Sequence, residues 1–390
     1  MNAVTATSDF ARQLSAIAPG EGCTLAVLAK RTYTLAPGKP CALADVQEPL
    51  RTQPVFDAAR RNLFVADVET YPFKHLTDVV VRGHAYANGS RAESRAEVRV
   101  GPFTKTLVVI GDRQCTRAPD GQLRFSSPSR FEKIPLSYDR AYGGWDEAAE
   151  KRRGHPWARL APYLAPNTDL HAYSPYVYPR NRHGRGYLME ATPDSLDALL
   201  LPNLEDPRDR LTPERIVVGS AKRWHEMPLP ACTSWVPPSY FGRGAFLGMH
   251  PYWQPLPDGL PEFQRALLPR EVAGIDLASG KANPLTFRYT NGGSLGLQVP
   301  YLAPGDTIAL ENMHRAAPTL EITLPDDAPK VFVDGRKGKL TATSPVIHHV
   351  EIEPDLGRLS IVWRGHAPAI RPYLPEELLA MPFRVEWRMS

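Results

Sequence analysis

Forty prolines in 390 residues set the first limit on this chain. Proline removes a backbone donor and clashes with the preceding helical turn, so such a load cannot sit in helix interiors. It suits short strands, sheet edges and ordered loops. The expected class is therefore mainly β: antiparallel, sandwich-like sheets with few short helices. A 43% hydrophobic share supplies a sizeable core. The length exceeds that of a usual single core, which predicts two β-rich lobes. These would be residues 1–124 and 260–390, joined by a loop-rich segment at 125–259.

Alternation and turn chemistry place the strands. Leu25–Lys30 and Thr32–Leu35 precede the turn residues Ala36-Pro37-Gly38, and Asp78–Ala85 is rich in β-branched residues. Glu97–Val100 alternates with period two and turns at Gly101-Pro102 into Lys105–Ile110, which predicts a hairpin. Leu285–Thr290 and Leu295–Val299 flank Asn291-Gly292-Gly293, favoured hairpin residues. Further strands are expected at Thr307–Leu310, Leu320–Leu324 and Lys330–Val333. A third hairpin pairs His348–Glu353 with Leu359–Trp363, with His348, Val350 and Ile352 on one face. Short helices are expected at Asp194–Leu200 and Pro375–Ala380. Residues before about Gly20 read as an arm that joins the first sheet.

The net charge is only +4, with 46 basic against 42 acidic residues. The clusters Glu150–Arg153 and Tyr178–Arg182 read as solvated loops, too short for a nucleic-acid tail. Cys23, Cys41, Cys115 and Cys232 form no Cys-x-x-Cys pair, so they are expected to be reduced thiols. The N-terminal residues lack the apolar run of a signal peptide, and no stretch is long enough to span a bilayer. A cytoplasmic protein is expected, without membrane or nucleic-acid partners.

No Gly-x-Ser-x-Gly elbow is expected and no Walker loop is present, and Gly184-Arg185-Gly186 and Gly242-Arg243-Gly244 read as turns rather than phosphate cradles. His155, His171, His183 and His225 are scattered, while His348 and His349, adjacent on a strand, are expected on opposite faces. No metal or cofactor is expected. Asp139, Asp146, Glu205 and Asp206 lie near aromatics, the raw material of sugar sites and equally of protein interfaces.

Three segments stand out in the middle. Phe131–Trp145 places Arg140 between aromatics and contains Pro135, Tyr138, Tyr142, the pair Gly143-Gly144 and Trp145. Its arginine can stack, pair with Asp139 or donate to loop carbonyls. The second is Tyr178–Tyr187, with Arg180 and Arg185, and the third is Leu201–Pro207. Asn203, Glu205 and Asp206 are suited to accept from Arg180 or Arg185, so that these loops either lock together or bind a ligand.

In this order the segments resemble a bacterial family, domain-of-unknown-function 2169. The resemblance also rests on Tyr33-Thr34-Leu35 followed by Pro72–Ala85, on Gly111-Asp112-Arg113, and on the closing pattern Gln298–Leu310, Leu324-Pro325 and Val362-Trp363-Arg364-Gly365. It covers nearly the whole chain, as one continuous domain of about 20–375. A glycine-threonine-tyrosine-aspartate segment common in the family is replaced here by Phe241–Phe246, within Trp235–Met249.

The resemblance implies a non-enzymatic adaptor or chaperone that binds a type VI secretion effector, PAAR-like tip or spike protein. Aromatic and arginine side chains dominate interface energetics. The candidate partner-binding residues are therefore Arg140, Tyr142, Trp145, Tyr178, Arg180, Arg185, Tyr187, Trp235 and Phe241. Pro135, Tyr138, Gly143, Gly144, Asn203, Glu205, Trp363 and Arg364 are the expected structural motif. Two other readings stand beside it: a carbohydrate-active enzyme or lectin-like protein, and a structural piece of a phage-tail-like assembly.

Overall fold

The computed structural model describes residues 3–5, 9–18, 22–74, 76–155, 174–192, 195–196, 199–237, 291–334 and 338–387. Phe241, Gly242–Gly244, His171 and the expected strand Leu285–Thr290 lie outside them, as does Asp194. Of the helix expected at 194–200, only Ser195 and Leu196 are described as helical.

Two large sheets carry the fold. The first has seven strands. Gln298–Val299, Thr77–Val81, Val346–Glu353, Arg358–Ala369, Gly22–Thr34 and Ala11–Ala18 lie side by side, and Ala42–Leu43 also pairs with Gly22–Thr34. Its pairings are antiparallel except Thr77–Val81 with Val346–Glu353, which is parallel. The second is wholly antiparallel: Leu204–Glu205, Phe103–Ile110, Glu93–Val100, Thr307–Glu311 and Thr319–Thr323. A four-stranded sheet joins Ala3–Thr5, Phe383–Glu386, Lys330–Asp334 and Leu340–Thr343.

Alternation explains how the sheets meet. In Thr319–Thr323 the buried residues are Leu320 and Ile322, and the three between and beside them are exposed. Val79, Val81, Val350, Ile352, Ile361 and Trp363 of the seven-stranded sheet share one core with Val98, Leu107, Val109, Ile308, Leu310 and Ile322 of the five-stranded one. Burying each such side chain stabilises the fold by about 1.5–3 kcal/mol. This is the mainly β, sandwich-like architecture expected from the proline load.

Strands from both ends of the chain share each large sheet. Thr77–Val81 pairs with Val346–Glu353, and Glu93–Val100 with Thr307–Glu311. Residues 1–124 and 260–390 therefore do not form one sheet system each; long-range pairing interleaves them.

Local differences from the expectations have physical causes. Leu25–Leu35 falls almost wholly within a single long strand, Gly22–Thr34. The run Asp78–Ala85 is cut by Gly83, whose φ of +136° ends one strand and starts His84–Arg91. The Glu150–Arg153 cluster is not a loop but the end of a helix, Glu147–Arg153. Asp146 caps it by accepting from Ala149 N, and its basic last turn suits the helix dipole. The helix Pro375–Ala380 falls at its expected residues.

Candidate functional site

The seven-stranded sheet has a second face, and it is charged and covered. Residues that alternate with the core ones include Lys30, Thr32, Asp78, His349, Glu351, Glu353, Ser360 and Arg364, all buried. Register sets His349 beside Asp78 and Val362, and Val362 beside Lys30. Leu50, Phe64, Ala66, Glu69, Lys74 and Trp235 bury against this face or its edge.

Its charges are paired in a chain. Lys30 lies 2.9 Å from Glu69, Arg51 bridges Glu69 and Glu351, and Arg82 reaches Glu351 at 2.5 Å and Glu353 at 3.1 Å. Asp78 accepts from Lys74 at 2.6 Å, from Asn291 Nδ2 at 2.9 Å and from Gly292 N at 2.9 Å. Trp235 packs its ring within 5.3 Å of the Lys74 ammonium and edge-on to His349. Arg364 stacks on Phe73 and donates to the Lys74 carbonyl and the Tyr301 hydroxyl. Removing one partner of a buried ion pair is far more costly than the pair is stabilising, so this lattice fixes geometry more than it adds stability.

The histidines correct an expectation. A bulge between Ile347 and His349 puts Ile347, Val350 and Ile352 in the core. His348 and His349 thereby lie close, with ring centroids 5.9 Å apart, rather than on opposite faces. Burial, then the charges of Lys74 and Arg364, holds His348 well below its ordinary value.

Glu69, His349 and Glu351 stand close enough to share one metal ion. Their chemistry argues otherwise. Burial raises both carboxylates, but the hydrogen bond from His349 to Glu69, together with the charges of Arg51 and Lys30, holds Glu69 well below its usual range, and Arg51 and Arg82 hold Glu351 down to about 2. A divalent ion would have to displace these cations and sit among them.

The central segments form a smaller core of their own. Tyr142, Tyr178, Tyr187 and Trp224 pack with Leu188, Leu201, Leu211 and Ile216. Tyr178 meets Tyr142 edge-on at 5.1 Å, and Trp224 Nε1 donates to Tyr187 Oη at 3.0 Å. Tyr142–Gly143 pairs with Arg185–Gly186 in a short parallel bridge. Asn181 Nδ2 donates to the carbonyls of Tyr138 and Tyr142, at 2.7 and 3.0 Å. Gly143, at φ +145°, lies so close that a Cβ there would stand 2.1 Å from the Asn181 carbonyl oxygen. Asp146 adds two further bonds, from the backbone N–H groups of Met189 and Glu190.

Above this interlock sits a polar rim. Asn203 Nδ2 donates to the Ile110 carbonyl at 2.9 Å and to Asp112 Oδ1 at 3.0 Å. Its Oδ1 then faces two guanidinium groups, Arg185 at 3.0 Å and Arg140 at 3.4 Å. Arg113 and Arg210 engage the two oxygens of Glu205.

Residues 21–364 match a family described as "Uncharacterized protein conserved in bacteria (DUF2169)". The chain belongs to that family. No curated protein and no solved structure matches it.

In this DUF2169 member the sequence-predicted residues divide by burial. Tyr142, Tyr178, Arg180, Tyr187 and Trp235 are buried within the fold. The Tyr178–Arg182 run is accordingly no solvated loop. Arg140, Trp145 and Arg185 are partly exposed, and Trp145 Nε1 donates to Glu150. Of the expected motif, Pro135 ends the strand Phe131–Pro135. Tyr138, Gly143, Gly144, Asn203, Glu205, Trp363 and Arg364 are buried. Asn203 serves Arg185 and Arg140, whereas Glu205 takes Arg113 and Arg210 instead of the expected Arg180 or Arg185.

Of the carboxylates weighed for sugar chemistry, Asp146, Glu205 and Asp206 accept hydrogen bonds, whereas Asp139 Oδ1 is buried with no hydrogen-bond partner among the described residues. Asp146 caps a helix, Glu205 is doubly paired, Asp139 lies 3.6 Å from Arg60, and Asp206 accepts from Arg208 N. Of the scattered histidines, His183 bonds the Arg61 carbonyl at 2.9 Å and His155 lies 3.7 Å from Glu150.

Sequence reasoning missed two things. The covered charges, Lys30, Arg51, Glu69 and Glu351, left only the signal of a polar alternation, which reads as a wet face. Gly292–Gly296 also fits the Gly-x-Ser-x-Gly spacing of a nucleophile elbow. Here the buried Ser294 donates to the Cys232 carbonyl, and the chain runs on into the strand Gln298–Val299 instead of a helix. The elbow geometry is therefore not met.

Proposed function

We propose that this chain is a non-enzymatic adaptor that binds another protein, working on the cytoplasmic side. By the resemblance of its segments, the partner is a type VI secretion effector, PAAR-like tip or spike protein. The observation that carries this reading is the interlock of the central loops. Their aromatics are buried against one another, and the rim left at the surface is polar, built from Arg140, Arg185 and Asp112 anchored on the buried Asn203. A rim fixed before binding lowers the ordering cost of association. Asp146, Glu205 and Asp206 already serve structural partners, which favours the adaptor over the sugar reading.

The test is co-expression with the proteins encoded beside the gene, followed by affinity capture on a tag carried by this chain. Recovery of one neighbour in fixed proportion supports the adaptor. Large self-assemblies of the purified protein in light scattering would support the tail-like structural reading in its place.

A further inference from the structure

Arg140 and Arg185 are clamped by their own backbones. The Arg140 carbonyl accepts from Asn203 N at 2.8 Å, and Arg185 N donates to the Ala141 carbonyl at 2.9 Å. Asn203 cannot turn away, because its Nδ2 is held by the Ile110 carbonyl. Two like charges are thus brought together over one neutral oxygen. Burial and then the charge of Arg140 lower the pKa of Arg185, and Asp112 offsets part of that.

Arg140 is the less satisfied of the two. Among the described residues its one side-chain hydrogen bond is the 3.4 Å contact to Asn203. Its nearest carboxylates, Asp112 and Asp139, stand at 3.8 and 3.9 Å, beyond hydrogen-bond reach, and its Nε is buried with no acceptor. Yet its side chain is 25% exposed and that of Arg185 is 16% exposed, so both are reachable. Asp112 is the carboxylate that approaches both, and its side chain is 60% exposed. Its Oδ1 accepts from Arg185 at 3.1 Å and from Asn203 at 3.0 Å, but it falls short of Arg140, so it satisfies one arm of the pair and marks where an incoming carboxylate would sit.

We infer that Arg140 and Arg185 form a fork that receives one carboxylate from an acidic side chain of a protein partner. The inference rests on the adaptor reading and names the chemistry of its contact. A guanidinium pair matches the geometry of a carboxylate, and its donors are fixed in advance. A nucleic acid, whose phosphates repeat at fixed spacing along its backbone, fits less well than a carboxylate on a flexible side chain. Asp139 lies beside Arg60, which also pairs with Asp57 at 2.6 Å, and Glu147 pairs with Arg61, so the surroundings carry mixed charge. A single carboxylate meets the fork without meeting these.

The experiment uses a fluorescein-labelled hexaglutamate peptide, with labelled hexaglutamine and a labelled oligo-dT strand as comparators, read by anisotropy on the full chain. Hexaglutamate should bind about tenfold more tightly than hexaglutamine. Arg140→Gln and Arg185→Gln should each weaken it about tenfold. Asp112→Asn should strengthen it about threefold by removing the competing charge while keeping the Asn203 contact. Arg99→Gln, at an exposed arginine on another sheet, should change nothing. Circular dichroism checks that each variant folds; should Arg140→Gln not fold, Arg185→Gln and Asp112→Asn carry the test. Equal binding of hexaglutamate and hexaglutamine overturns the inference. So does equal loss in Arg99→Gln, weaker binding in Asp112→Asn, or oligo-dT binding as tight as hexaglutamate. A neighbour complex that survives both arginine variants overturns the fork and leaves the adaptor standing. Hexaglutamate binding with no neighbour complex does the reverse.

Discussion

Lys74 Nζ lies 2.6 Å from Asp78 Oδ2, with neither side chain open to solvent. The pair is four residues apart, at the point where the covering segment meets the charged face of the seven-stranded sheet. Asn291 and Gly292 complete the shell of Asp78. The sheet edge, the cover and the chain after residue 290 are thus tied at one carboxylate. Lys74→Met strands that charge without its counter-ion. It should cost about 3–5 kcal/mol in denaturant unfolding. A loss under about 1 kcal/mol would mean the pair is idle.

The same lattice sets a pH dependence. Glu351 is held down to about 2 despite burial, by Arg51 and Arg82. Its stabilisation is complete above its ordinary value of 4.5 and is lost as pH falls through the range from there to about 2. His348 acts earlier. Burial keeps it neutral in the fold, while the unfolded chain binds a proton below the ordinary value of 6.5, so stability begins to fall there. Unfolding free energies measured from neutral pH down to acid should decline in these two stages. His348→Leu should flatten the first, and Glu351→Gln the second.

Gly143 and Gly121 both have positive φ, but their surroundings differ. A Cβ at Gly143 meets the Asn181 backbone, and one at Gly121 meets open space. Gly121→Ala should cost only about 1 kcal/mol of backbone strain. Gly143→Ala should cost about 3 kcal/mol or more, since two backbones must part. Comparing the two melting temperatures separates the close approach from the strain.

Much of the fold was legible because it is local. The Glu93–Val100 and Phe103–Ile110 hairpin turns where Gly101-Pro102 says it must, and the Val346–Glu353 and Arg358–Ala369 pair closes at Pro354–Gly357. The interleaving of the two ends was not legible, since pairing Val79 with Val350 is a choice among many apolar partners at long range. Nor was the burial of Tyr142, Tyr178 and Tyr187. An aromatic in a proline-rich loop has the same letters whether it packs inward or faces a partner. The bulge at His348 shifted a face by one residue, which alternation alone cannot foresee. Asp112 was visible only as part of a motif; its place between two arginines needed the fold.

The thiols give an independent check on the core. Burial pushes Cys232 up to about 12 and also raises Cys115 and Cys41, so access rather than acidity separates the last two. Cys115 and Cys232 are buried, whereas Cys23 and Cys41 are partly exposed. A thiol needs its thiolate and access to react. In the native protein a disulfide reagent should leave Cys115 and Cys232 unmodified over a time in which Cys41 or Cys23 reacts, and unfolding should release all four. Fast native labelling of Cys232 would contradict the packing around Ser294 and Lys105.

The adaptor reading meets its most direct test in solution mass. This chain would be co-expressed with each protein encoded beside its gene, and each mixture passed through size exclusion with light scattering. The account predicts one neighbour that co-elutes at a fixed stoichiometry, as a mass above that of either chain. A folded protein that elutes alone beside every neighbour would contradict it.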